Sequence, residues 1–232
     1  MTTTQASRRS RTTKTTPVPD RVPLADLANL GDLLKRLGNI PAQRVRLHPT
    51  PGTATEKDVI DALDRENRPC ELVEGTLVEK AMGYEESELA LLLGTFLNNY
   101  VRPRKLGIVT GADGTIRLFP GLVRIPDVAF ASWSRFPDRK RPTARIPQLA
   151  PDLVVEVLSK GNTKPEMAKK LGEYFEAGVH LIWLVDRRKR TVRVHTAVDQ
   201  SILLKEDQTL DGGAVLPGFV LRLEELFVSD EP

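Results

Sequence analysis

The chain has 232 residues, 40% of them hydrophobic and 28% charged, which is long enough to bury a core and ordinary for a globular domain. Its single cysteine, Cys70, excludes an internal disulfide and fits a reducing, cytoplasmic setting, and the longest apolar run, residues 89–97, is too short to span a bilayer. The net charge of +3 is misleading: Arg8, Arg9, Arg11, Lys14 and Arg21 against Asp20 give residues 1–21 a net +4, which leaves −1 for the rest. Attraction to nucleic acid must then come from the tail or from local patches.

Residues 1–21 are polar, Thr-rich and without apolar periodicity, and read as a disordered basic tail. An organelle transit segment or a nucleic-acid-touching arm has a similar composition, and a solvated tail without a fixed role is the third reading. Residues 22–55 read as a helix and a linker. Leu24, Leu27, Leu30, Leu34 and Leu37 recur at helical spacing, and the Pro-rich stretch after them suits a surface linker. The main domain is expected over residues 56–228. It opens with a helix at 56–67, a strand–turn–strand at 70–83 turning at Gly75, and a long helix at 84–101. Residues 106–121 read as a hairpin with turn chemistry from Gly111 to Gly114. A strand at 124–133, a basic loop, a strand at 151–159, a helix at 164–177 and a strand at 179–186 follow. Strands at 191–197 and 201–206 and a closing helix at 220–227 complete the chain. The unit 151–186 should be a right-handed parallel crossover. The fold class is α/β, with a mixed β-sheet flanked by helices.

Candidate chemistry sits in that central unit. Every residue from Leu153 to Leu158 is apolar except Glu156, as expected of a strand covered on both faces. A buried carboxylate must be compensated, by a divalent cation or by an Arg or Lys partner, and the second is commoner in proteins generally. Asp127 follows Pro126 at the start of another apolar strand and shares a face with Ala129 and Ala131, whose small side chains leave room. A strand-entry Asp bonded to nearby backbone N–H groups is its alternative. In the helix, Thr163 and Glu166 have capping-box spacing, Pro165 suits the first turn and Gly178 ends it. With Met167, Leu171, Tyr174 and Phe175 buried, Lys169 falls roughly 160° from the centre of that face and Lys170 roughly 90°. Only Lys170 can reach inward; a surface Glu166–Lys170 pair is its alternative. Glu85 and Glu86 project from the apolar side of the long helix's first turn, where acids are also expected from the helix dipole alone. Two carboxylates on adjacent strands would hold Mg²⁺ through oxygen ligands, and a nearby ammonium would stabilise charge on a phosphorane.

Pro126-Asp127, followed by Glu156-Val157-Leu158, resembles the PD-(D/E)XK nuclease superfamily, with Leu158 where the lysine usually stands. More specifically, ELVEG (71–75), MGYEES (82–87), RIPDV (124–128), PDLVVEVLS (151–159), KLGEYFEAGV (170–179) and WLVD (183–186) resemble the Uma-type restriction endonuclease family. That resemblance implies a restriction-endonuclease-like core and a catalytic lysine displaced onto a helix, here Lys170. It also favours Glu86 as a further ligand or acid/base group, at a position where many relatives carry a His. DNA is the implied nucleic-acid partner and Mg²⁺ the implied ion, with Mn²⁺ as its substitute. Cutting both strands of a duplex takes two sites, so a homodimer is expected of such an enzyme.

Other chemistries lack support. There is no GxSxG and no phosphate-cradling Gly-rich loop, and His48, His180 and His195 lie too far apart for zinc spacing. Trp133, Trp183, Phe130 and Phe175 read as core, not as base-stacking platforms. The basic turn 187–190 reads as solvated, although it and the 135–145 loop could touch phosphates. The expectation is a metal-dependent DNA endonuclease with Asp127 and Glu156 on the metal, Lys170 assisting water and transition state, and Glu86 auxiliary. The alternative is a catalytically silent nucleic-acid-binding or interaction module on the same scaffold.

Overall fold

The computed structural model describes residues 27–227; the basic tail, the start of the first expected helix and residue 228 lie outside them. The helices are α1 (Leu30–Arg36), α2 (Glu56–Glu66), α3 (Tyr84–Val101), α4 (Lys164–Ala177) and α5 (Leu223–Leu226). The strands are β1 (Cys70–Val73), β2 (Thr76–Glu79), β3 (Gly107–Thr110), β4 (Ile116–Phe119), β5 (Leu122–Arg124) and β6 (Val128–Ser132), then β7 (Leu153–Val157), β8 (Leu181–Asp186), β9 (Thr191–His195), β10 (Ser201–Lys205), β11 (Thr209–Gly212) and β12 (Leu216–Arg222).

A six-stranded sheet runs β10-β9-β8-β7-β6-β3, a four-stranded one β2-β1-β5-β4, and β11-β12 form a separate ribbon. Only β7 and β8 pair in parallel within the large sheet, joined through α4, so the mixed sheet of the sequence reading is present. β7 is buried at every residue, as a strand covered on both faces must be. Its Leu153, Val155 and Val157 pack with Leu89, Leu93 and Leu97 of α3 and with β12 and α5. On the other face Val154 packs with Leu171 and Tyr174 of α4, with Ile116 and Leu118 of β4, and with α1.

Four expectations change. The hairpin at 106–121 does not form: β3 pairs with β6 in the large sheet, whereas β4 pairs with β5 in the small one. Both segments are edge strands, so each finds a partner elsewhere and residues 111–115 step between sheets. The strand at 124–133 is divided into β5 and β6, because Pro126 lacks an N–H for the ladder where the chain changes sheet. The closing helix at 220–227 is reduced to Leu223–Leu226; Val220–Arg222 instead end β12, paired with β11. Alternation of buried Phe219 and Leu221 with exposed Val220 and Arg222 decides in favour of the strand there.

The stretch read as a surface linker is built into the fold. Ile40 and Val45 are buried, and Arg44 is clamped by the Glu79 and Gly161 carbonyls and by Glu166. Gly38 has φ +92°, and a Cβ there would lie 2.6 Å from the Glu166 Cα, so α1 and α4 meet backbone to backbone.

Candidate active site

The site lies where the chain crosses from the small sheet to the large one, at Ile125–Asp127. Continuing the β6–β7 register one step past Val128↔Val155 sets Asp127 opposite Glu156 on one face, with Cβ atoms about 5 Å apart. The Asp127 N–H donates to the Val155 carbonyl at 3.1 Å, and the Val157 N–H donates to Asp127 Oδ2 at 2.6 Å. The side chain thus takes over a ladder position, and both acids are buried.

The small sheet contributes by the same logic. Continuing the β1–β5 register past Leu72↔Val123 sets Glu71 opposite Arg124. Arg124 donates from Nη1 to Glu71 Oε2 at 2.7 Å and from Nε to Glu173 Oε2 of α4 at 2.9 Å. The Ile125 N–H donates to Glu71 Oε1 at 3.2 Å.

Helix α4 supplies the amine. The Thr163–Glu166 capping box forms as expected, and Gly178 ends the helix at φ +97°. Lys170 is 3% exposed; its Nζ lies 2.9 Å from Glu71 Oε1 and 3.4 Å from both Glu156 oxygens. Tyr174, one turn on, donates its hydroxyl to Glu156 Oε1 at 2.6 Å. The surface Glu166–Lys170 pair is absent, because Glu166 is itself buried and takes Arg44 at 2.8 Å. Lys169 lies outside the cluster, donating to the Arg36 carbonyl at 3.1 Å and pairing with Glu74 at 2.9 Å.

One further cation closes the group. Lys80, just past β2, has a buried side chain whose Nζ donates to the Ala112 carbonyl at 3.0 Å and to the Pro126 carbonyl at 3.3 Å. It stands 2.9 Å from Asp127 Oδ1 as an ion pair, yet Oδ1 has no hydrogen bond. The contact is therefore Coulombic, and a lone pair on Oδ1 stays uncommitted. Asp127 also lines a cleft of about 460 Å³ walled by α3 (Ala90, Gly94, Asn98) and by Val109–Ala112.

The charges set the protonation states. Burial would raise the Glu71 carboxyl, but the Lys170 ammonium and the Arg124 guanidinium outweigh it and hold the pKa down at about 2. Glu156 goes the other way: burial raises it, and the neighbouring Asp127 and Glu71 carboxylates add to burial against the pull of Lys170. Burial alone would lower Lys170, but Glu156 and Glu71 together raise it, so it is an ammonium at neutral pH. Tyr174 is raised by burial and by Glu156 and stays a neutral donor.

Glu86 is placed apart from these residues. It is half-buried in the first turn of α3, its carboxylate folded back over Gly83, and it makes none of the cluster's hydrogen bonds or ion pairs. Glu85 is exposed and pairs with Arg187 at 2.9 Å, not with the core side of α3. The basic turn is largely neutralised locally, since Lys189 pairs with Asp186 and Arg190 with Glu206.

Among the described residues no group of three or more His, Cys, Asp and Glu side chains is arranged to hold a metal ion. Two acids suffice for Mg²⁺, which binds through one or two carboxylates and keeps several waters. Asp127, with its uncommitted Oδ1, and Glu156 on the adjacent strand fit one hydrated hard cation.

Sequence reasoning missed Glu71, Arg124, Tyr174 and Lys80 as members of the cluster. Glu71 carried the same signal as Glu156, a lone acid among Cys70, Leu72 and Val73 in a strand buried throughout. Nothing local marked Lys80.

A model of the Uma2 family, described as "Putative restriction endonuclease", matches residues 58–224, well over half of the chain. The chain belongs to the Uma2 family. The Uma2 match spans β1, β2, β5, β6, β7 and α4 and so covers every residue of the cluster. Among solved structures the chain is similar to "a putative nuclease belonging to DUF820" from Anabaena variabilis ATCC 29413, at 22% identity and a TM-score of 0.61, covering 69% of this chain and 90% of that one. At that identity the likeness establishes the fold, an α/β core with a mixed sheet flanked by helices. A comparison with curated proteins finds no match. Among the described residues no helix is long and apolar enough to cross a membrane.

Proposed function

We propose that this Uma2 chain is a metal-dependent endonuclease that hydrolyses phosphodiester bonds in DNA. The observation that supports this reading above others is the convergence of Asp127, Glu156 and Lys170 from two adjacent strands and a helix, with the amine 3.4 Å from Glu156. Mg²⁺ or Mn²⁺ bound by Asp127 and Glu156 would supply Lewis-acid polarisation of a phosphoryl oxygen and a more acidic water. Asp127 is held by the Val157 N–H through Oδ2, which leaves Oδ1, beside Lys80, as the oxygen that would take the cation. Lys170, held between Glu71 and Glu156, presents a fixed positive charge where negative charge grows on phosphorus. Glu71 and Arg124 position that lysine without entering the chemistry. Glu156, with its raised pKa, can hold a proton at a pH where an exposed carboxylate would not. Glu86 enters this reading as an auxiliary acid/base group at the start of α3. The cleft ending at Asp127 is the approach path for the strand to be cut, and two copies acting as a homodimer would cut a duplex.

A silent nucleic-acid-binding module is the competing reading, and one observation favours it: each acid of the cluster already has an internal cation. Purified protein incubated with supercoiled plasmid, single-stranded DNA and RNA, with Mg²⁺, Mn²⁺ or EDTA, separates the two. Metal-dependent nicking of DNA that disappears in Asp127→Ala and Lys170→Ala is the expected result. DNA that is bound but left intact with every metal would overturn the enzyme reading.

A further inference from the structure

Of the cluster's three cations, Lys80, Arg124 and Lys170, Lys80 is the one that the mechanism above does not use. Its ammonium sits among three oxygens: the carbonyls of Ala112 and Pro126 and Asp127 Oδ1, at 3.0, 3.3 and 2.9 Å. Three oxygens around one positive charge is the arrangement of a small cation site, here occupied by a side chain. Two of the three belong to backbone, so the position stays defined whatever the lysine does.

The charge balance points the same way. The cluster holds four carboxylates, Glu71, Asp127, Glu156 and Glu173, against three cations, Lys80, Arg124 and Lys170. The surplus is one carboxylate. Without Lys80 it becomes two, with three oxygens around the vacated position and the Asp127 edge facing the cleft. Nucleases that use two divalent ions place them on a shared carboxylate, about 3.5–4 Å apart. In this chain the shared acid would be Asp127, and Lys80 stands on one of its two sides.

We infer that Lys80 is a resident cation that fills the second metal position on Asp127 and limits the site to one divalent ion. This rests on the metal-dependent reading above. Lys80 is a positioning residue: it neutralises Asp127 and leaves Oδ1 one free lone pair for the ion that works with Lys170.

The test counts bound Mn²⁺ by equilibrium dialysis and by loss of the free-ion electron paramagnetic resonance signal. The ions assigned to the cluster are those lost in Asp127→Asn. The expected result is one such ion per wild-type chain and two in Lys80→Ala, with Lys80→Met, which fills the space with apolar atoms, staying at one. Two ions in the wild-type chain would overturn the inference without any variant. One ion in a Lys80→Ala protein that keeps its wild-type circular dichroism would overturn it as well. No ion in the wild type would overturn the metal reading itself, a different outcome from either. As an independent readout, ethylammonium should restore the melting temperature lost in Lys80→Ala; failure of rescue would show that the cavity is not a cation position.

Discussion

The Nζ of Lys170 lies 2.9 Å from Glu71 Oε1, joining a helix on the large sheet to a strand of the small one. That pair, not the strand pair alone, decides where the amine points. It holds Lys170 beside Glu156 while a second buried cation, Arg124, keeps Glu71 ionised. The site is therefore a joint between two sheets, and its variants should report on stability and chemistry together.

Replacing Lys170 tests both. Lys170→Met leaves Glu71 and Glu156 buried without their shared partner, which should cost about 3–5 kcal/mol of stability. Nuclease activity should fall roughly 10²–10³-fold or more, the scale for loss of one preorganised charge. Lys170→Arg should not restore it, since a planar fork replaces a compact ammonium. Thermal melts and plasmid nicking check the two effects separately; wild-type nicking by Lys170→Met would remove the lysine from the mechanism.

Glu71 and Glu156 should respond to pH with opposite signs. The folded pKa of Glu71 is depressed from 4.5 to about 2, so its stabilisation is present above the unfolded value and is lost as pH falls from about 4.5 toward 2. Its size is about 3 kcal/mol. The folded pKa of Glu156 is raised, so its stabilisation is fully present below the unfolded value and is lost as pH rises through the folded one. At pH 7, Glu71→Gln should therefore lower the melting temperature, whereas Glu156→Gln should leave it unchanged or raise it while abolishing activity. Melting curves across pH 3–8 read this directly, and a large drop for Glu156→Gln would contradict the assignment.

Tyr174→Phe isolates one hydrogen bond. It removes the donor 2.6 Å from Glu156 Oε1 and leaves that oxygen to Lys170 alone, at a cost of about 1–3 kcal/mol. Because the hydroxyl steadies a proposed ligand, metal affinity should fall along with stability. Calorimetric titration with Mn²⁺ checks this, and unchanged affinity would confine Tyr174 to packing.

Gly38→Ala probes the joint from the other side. The positive φ and the 2.6 Å approach to Glu166 Cα leave no room for a methyl group, so the variant should lose at least about 1–3 kcal/mol and loosen the start of α4. Hydrogen exchange at Met167 to Lys170 should speed up. If exchange there is unchanged, α1 does not brace the helix.

Several features were legible along the chain because short-range physics sets them. The helix 164–177 with its capping box and glycine stop, the parallel strands around it, the all-buried β7 and the distinction between Lys169 and Lys170 follow from periodicity and cap chemistry. The lone acid in an apolar strand was likewise readable, and Glu71 was missed only because its run is shorter.

Which strands pair, and so which charges meet, belonged to the tertiary structure. The apolar pattern of residues 106–121 fits a local hairpin as well as two edge strands in different sheets, and long-range packing chose the second. The cluster depends on that choice, since Glu71 meets Arg124 within the small sheet but reaches Lys170, as Lys80 reaches Asp127, only after that sheet docks against α4 and the large sheet. A buried charge shows its partner through spatial proximity, and the cost of leaving it unpaired is what makes the fold bring that partner from 99 residues away, as it does for Glu71 and Lys170.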